Sequence, residues 1–177
     1  WMHNGFINVD NRKMSKSLGN FFTTRDVAEK FGYEPIKFLM LQAHYRTPIN
    51  YSYDIIEQCR AALDRLYTCR DHLDFAATHA VAAPVEGEEA FRQMVDARRQ
   101  AFIDAMDDDL NTADAIAALF EMVRDCNSFF AEPKSTETVA YATACFDELT
   151  NVLGLLYNRT THSLDAEVEA LIEKRQA

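Results

Sequence analysis

Apolar side chains that recur every three or four residues, through most of the chain, constrain its fold more than any other feature. Ile55, Ile56, Cys59, Leu63, Leu66, Tyr67 and Leu73 fall on one side of a helix that runs from Ser52 to the mid-seventies. Further stripes follow: one carries Phe91, Met94, Val95, Phe102 and Met106, and the next Ile116, Phe120, Val123 and Phe130. After these come Val139, Phe146, Leu149 and Leu153, and a last stripe of Leu164, Val168, Leu171 and Ile172. Each stripe needs a neighbour to cover it, and the short connections between stripes favour an antiparallel helical bundle. The breaks agree: Pro84 and Gly87 stop any helix, and Asn111 with Asp114 reads as a cap.

The first fifty residues read differently. Phe6, Ile7 and Val9 predict a brief strand, Asp10-Asn11 a turn, and the residues from Arg12 a returning arm. Thr24 is the expected N-cap of a helix that ends near Gly32, and Pro35 belongs in the first turn of the next, which stops before Pro48. The fold class expected is therefore mainly α with a short β-containing start. Two polar features take structural readings. Asp107-Asp108-Asp109 is read as complementing the dipole of the following helix rather than as a metal site, and Asn127, on an apolar stripe, as a buried amide with bundle partners.

Charge divides the chain. Its net charge is −10, yet residues 1–72 hold 10 Lys and Arg against 8 Asp and Glu, while residues 73–177 hold 8 against 20. A polyanionic partner would approach the first half. Cys59, Cys69, Cys126 and Cys145 form no CxxC pair and have no histidine at ligand spacing, so they read as reduced, buried thiols in a cytoplasmic protein, with no metal site. No apolar run approaches the roughly 18 residues of a membrane span, so no membrane partner is expected. The sequons at Asn50 and Asn158 are then chance matches.

Lys13-Met14-Ser15-Lys16-Ser17, followed by Leu18-Gly19-Asn20, is the one stretch that announces chemistry. Two lysines alone describe a solvated turn. With two serines between and beside them and a glycine beyond, they make a cationic, mobile loop suited to triphosphate oxygens. Cleavage between the α and β phosphates of ATP builds charge on departing pyrophosphate, and ammonium groups that meet it only then raise rate more than affinity.

These residues, with their flanks, resemble the class I aminoacyl-tRNA synthetases, and among them the cysteinyl branch. The resemblance runs in order through Trp1 to Phe6, Lys13 to Asn20, His44-Tyr45-Arg46, Ala61-Ala62-Leu63, Ala105 to Thr112 and Val152 to Leu156. It implies ATP as cofactor, with tRNA(Cys) and cysteine as partners. Lys16 and secondarily Lys13 would stabilise the pyrophosphate, Ser15 and Ser17 would shape the loop on the ATP phosphates, and Arg25, His44 and Arg46 would lie toward tRNA. His44 to Arg46 also admits a capping and packing role. The implied division is residues 1–50 for the lysine loop and stem-contact region, 51–80 for a long linking helix, and 88–177 for a DALR-type bundle. The family's His-x-Gly-His signature and zinc ligands are absent, which reads as a middle segment whose catalytic half and anticodon domain lie elsewhere. Such a segment is expected to be inactive alone and to pack on that catalytic half, which would hold the zinc. Two alternatives stay open: a ligase joining cysteine to an amino sugar, and a non-catalytic binding module derived from a synthetase.

Overall fold

A computed structural model describes residues 1–15, 17, 20 and 23–159. Its elements are β1 (Ile7–Val9), β2 (Arg12–Lys13), α1 (Thr24–Phe31), α2 (Tyr33–Leu41), β3 (Ile49–Tyr51), α3 (Tyr53–Thr78), α4 (Glu88–Asp107), α5 (Thr112–Phe129) and α6 (Thr136–Val152). The last expected stripe, Leu164 to Ile172, lies outside the described residues. The result is a helical bundle with a small sheet at its start, the class that the periodicity predicts.

β1 is central in the sheet, antiparallel to β2 and parallel to β3. Asn8 faces Lys13 and Val9 faces Arg12, leaving Asp10 and Asn11 as a two-residue turn with φ of 48° and 60°. Asp and Asn tolerate that left-handed backbone better than most residues, which is why this pair can close so tight a hairpin. Asn50 in β3 fastens the tip by accepting the Asn11 N–H at 2.7 Å. β3 itself has no local signal: three residues after Pro48 become a strand only by pairing with β1, some forty positions away.

The caps set the helix starts. Thr23, not Thr24, is the N-cap of α1, because Asp26 stands three residues beyond Thr23. The Thr23 hydroxyl accepts the Asp26 N–H at 3.2 Å while the Asp26 carboxylate accepts the Thr23 N–H at 2.8 Å. These bonds, backbone first, hold the Asp26 pKa below its ordinary value. Ser52 caps α3 through the Ile55 N–H, and Asn111 caps α5 through the Asp114 N–H.

Buried side chains from Val9 to Leu156 form one connected cluster. α3 packs against α2, α5 and α6, burying Ile56, Cys59, Leu63, Leu66, Cys69 and Leu73. Phe91 of α4 stacks on Phe129 at 4.0 Å and meets Phe130 edge-on at 5.2 Å, which closes one end of the α4–α5 pair. Buried polar groups tie the helices at chosen places. Arg70 makes two hydrogen bonds, at 2.7 and 3.1 Å, to Asp147 of α6 and a third to Asp74. Glu88 accepts the Ser135 N–H and hydroxyl, each at 2.6 Å, and the Thr138 hydroxyl at 3.0 Å. Burial would raise the Glu88 pKa, but these donors outweigh it and the net shift is downward.

Three expectations fail here. Asn127 is exposed and hydrogen-bonds His72 at 3.2 Å, because the buried face of α5 is centred on Leu119, Met122 and Cys126 and Asn127 lies beside it. Met94 is exposed at its stripe's edge. Asp107 ends α4 and Asp108 caps its C-terminus, so the acidic triplet lies at the wrong end of a helix to complement a dipole; α5 starts only at Thr112.

Candidate functional site

The lysine loop leaves the sheet at Lys13, the last residue of β2. Met14 turns inward and packs against the core, which leaves the Lys13 side chain exposed on the opposite side of the strand. Among the described residues Lys13 enters no salt bridge. Asn20 closes the loop with one amide: its Nδ2 donates to the Lys13 carbonyl at 3.2 Å and its Oδ1 accepts the Ser15 N–H at 2.9 Å. The Ser15 and Ser17 hydroxyls are 2.7 Å apart, so they face the same space. Lys16 lies outside the described residues. Sequence reasoning gave Asn20 no role of its own, although a side chain carrying both a donor and an acceptor just past a glycine is the signal for such a staple.

Arg25 is exposed on the first turn of α1, and among the described residues it enters no salt bridge. His44 and Arg46 sit together in the turn after α2, with Tyr45 between them. The His44 and Tyr45 rings stack at 4.7 Å. The His44 Nδ1 accepts the Arg46 N–H at 3.3 Å, which leaves Nε2 facing Asp109 at 3.7 Å. Arg46 donates from Nε to the Tyr45 hydroxyl at 3.0 Å and reaches Asp109 at 2.5 Å. The Tyr45 hydrogen bond first, then the Asp109 charge, raise the Arg46 pKa. His44, Tyr45 and Arg46 thus share one partner, Asp109 of the acidic triplet.

The four cysteines are buried thiols on α3, α5 and α6, and burial pushes Cys59 and Cys145 up to about 11. Among the described residues no three His, Cys, Asp or Glu side chains converge as a metal ion requires. These side chains do not fit a zinc site. No described helix is long and apolar enough to cross a membrane.

Comparison with known proteins adds to this geometry. Residues 1–61 match the tRNA synthetases class I (C) catalytic domain, and residues 101–157 match the DALR domain. A cysteine-tRNA ligase of Caldicellulosiruptor saccharolyticus is 46% identical over 177 residues, and that of Clostridioides difficile is 44% identical over 176. A third, from Lachnospira eligens, is 44% identical. Each alignment covers 99% of this chain but 38% of the relative, so the chain spans about two fifths of their length. Among solved structures, a LeuRS of Agrobacterium radiobacter K84 in ternary complex with tRNA and LeuAMS matches 86% of this chain and 22% of its own. Its TM-score is 0.64 at 20% identity, a likeness of fold. The lysine loop thus stands on a sequence similar to the class I (C) catalytic domain, with a DALR-like sequence behind it, and 99% of the chain aligns with cysteine-tRNA ligases at 44–46% identity.

Proposed function

We propose that the protein carrying this chain activates cysteine with ATP and transfers it to tRNA(Cys), and that residues 1–50 supply the moving, charge-stabilising part of the first step. The observation that carries this reading is the 46% identity to a cysteine-tRNA ligase in an alignment that covers 99% of the chain. Lys16, with Lys13 in support, neutralises the pyrophosphate as it departs. Ser15 and Ser17 add donors to the same oxygens, and the Asn20 staple lets the loop travel as one unit.

Adenine and the cysteine thiol bind elsewhere, in sequence equivalent to the part of the relatives that this chain does not cover. Any zinc belongs there too. Phe6 and Ile7, apolar and exposed at the start of the central strand β1, suit that partner domain. Residues 51–80 link the loop region to a bundle over residues 88–177. Arg25, His44 and Arg46 lie toward the tRNA; the Arg46 side chain stays 65% exposed while Asp109 holds its guanidinium. We assign the reaction to the cytoplasm, where four free thiols persist.

The test uses the full-length protein with labelled pyrophosphate, cysteine, and either tRNA(Cys) or an amino sugar as acceptor. Cysteine-dependent exchange into ATP followed by cysteinyl-tRNA is the expected result. Transfer to the sugar, or no exchange, overturns it.

A further inference from the structure

Asp109 belongs to the bundle but spends its carboxylate on the first half of the chain. Its Oδ1 accepts the Tyr45 hydroxyl at 2.9 Å, and its Oδ2 lies 2.5 Å from Arg46 Nη2 and 3.7 Å from His44 Nε2. To present that carboxylate the α4–α5 turn takes an uncommon path: Asp109 and Leu110 have φ of 57° and 56°. Two successive side-chain-bearing residues in the left-handed region persist only where surrounding contacts over-determine them. Leu110 is not the anchor, since its side chain is 46% exposed. The backbone of the turn closes on α4, with the Leu110 N–H donating to the Met106 carbonyl at 3.1 Å and the Asn111 N–H to the Ala105 carbonyl at 3.0 Å, and from that frame Asp109 directs its carboxylate at the first half of the chain.

From Tyr45 the connection continues to the lysine loop in two steps. The Tyr45 carbonyl accepts the Gly5 N–H at 2.7 Å, and the Phe6 carbonyl accepts the Ile49 N–H at 2.8 Å. There is no slack in this joint: a Cβ on Gly5 would lie 2.5 Å from the Thr47 carbonyl carbon and oxygen. Gly5 leads directly into β1, and β1 pairs residue for residue with β2, whose last residue is Lys13. A shift of the turn at 44–47 therefore moves the strand on which the loop is mounted.

We infer that Asp109 is a positioning residue for amino-acid activation: from the bundle it fixes the Tyr45–Arg46 turn, and through Gly5 and β1 it sets where Lys13 and the rest of the loop stand. The inference rests on the reading that this loop meets departing pyrophosphate. It assigns the acidic triplet a part in the reaction without contact to any reactant, and it makes the bundle's seating on the first half a determinant of the activation rate.

The experiment measures cysteine-dependent pyrophosphate exchange by the full-length protein, per active site titrated, for Asp109→Ala, Tyr45→Phe, the double variant and Lys16→Ala. Each of the first two lowers kcat on the order of tenfold with the cysteine KM unchanged. The double variant loses no more than the worse single one, because both break one link. Tyr45→Phe removes a single hydroxyl, so it reports even where Asp109→Ala yields little folded protein. A kcat per active site unchanged in Tyr45→Phe, or losses that multiply in the double variant, overturns the inference. If Lys16→Ala is also unimpaired, the loop reading itself fails; if only Lys16→Ala is impaired, the coupling alone fails.

Discussion

Replacing Glu34 by glutamine tests how the end of α6 is fastened to the first half of the chain. Glu34 lies in the first turn of α2 and is 4% exposed. Its carboxylate accepts the Leu156 N–H at 2.6 Å, the Tyr67 hydroxyl at 2.7 Å and the Asn158 amide at 3.3 Å. Burial first, then the bond to Glu34, push the Tyr67 pKa far up, so the phenol remains a donor. Glutamine keeps one carbonyl oxygen, for Leu156, but turns an NH2 toward Tyr67 and Asn158, which also donate. Hydrogen bonds to charged groups are worth about 1.5–3 kcal/mol each. Losing one outright and weakening the others costs about 3 kcal/mol. At roughly 2–4 °C per kcal/mol for a chain of this size, the melting midpoint falls by about 6–12 °C. Differential scanning calorimetry of Glu34→Gln, Tyr67→Phe and the double variant is the assay. The reasoning requires the double variant to be more stable than the sum of the two losses, since both remove the same bond. A loss in Glu34→Gln below about 1 kcal/mol, or strict additivity, refutes it.

Other consequences can be checked separately. Gly5→Ala drives a methyl into the Thr47 backbone, which cannot rotate away, and costs about 1–3 kcal/mol in urea unfolding; an unchanged midpoint contradicts the close approach. Glu88, with its pKa lowered, contributes stability that is complete above the unfolded glutamate value of about 4.3 and lost as pH falls through the folded one. Acid titration followed by circular dichroism therefore finds a steeper loss below about pH 4 in the parent than in Glu88→Gln; parallel curves contradict the assignment. Burial that pushes Cys59 and Cys145 up to about 11 predicts thiols nearly inert to iodoacetamide at about pH 8 until urea unfolds the chain, as mass spectrometry reads directly.

What the sequence discloses follows physical range. α3 is legible because its stripe is long and Ser52 is a cap with a local target, the Ile55 N–H. The β1–β2 turn is legible because Asp10-Asn11 names its own geometry. β3 is not, since only the distant strand β1 makes it a strand. The role of Asp109 is equally hidden: nothing near it in sequence identifies Tyr45 and Arg46, 64 and 63 positions earlier, as its partners. At the candidate site the pentapeptide points to phosphate chemistry by residue type alone, whereas the Asn20 staple depends on how the loop returns. The acidic triplet misleads for a related reason. Its first two residues finish one helix instead of preparing the next, and spacing alone does not say which side of the break they fall on.

The central claim concerns charge delivered to a leaving group, so the most direct measurement is the single-turnover rate of cysteinyl-adenylate formation in the full-length protein with Lys16→Ala. A fall of at least about a hundredfold, with cysteine affinity held within about threefold, is the predicted result. An unchanged rate, or a loss confined to cysteine affinity, would contradict the account.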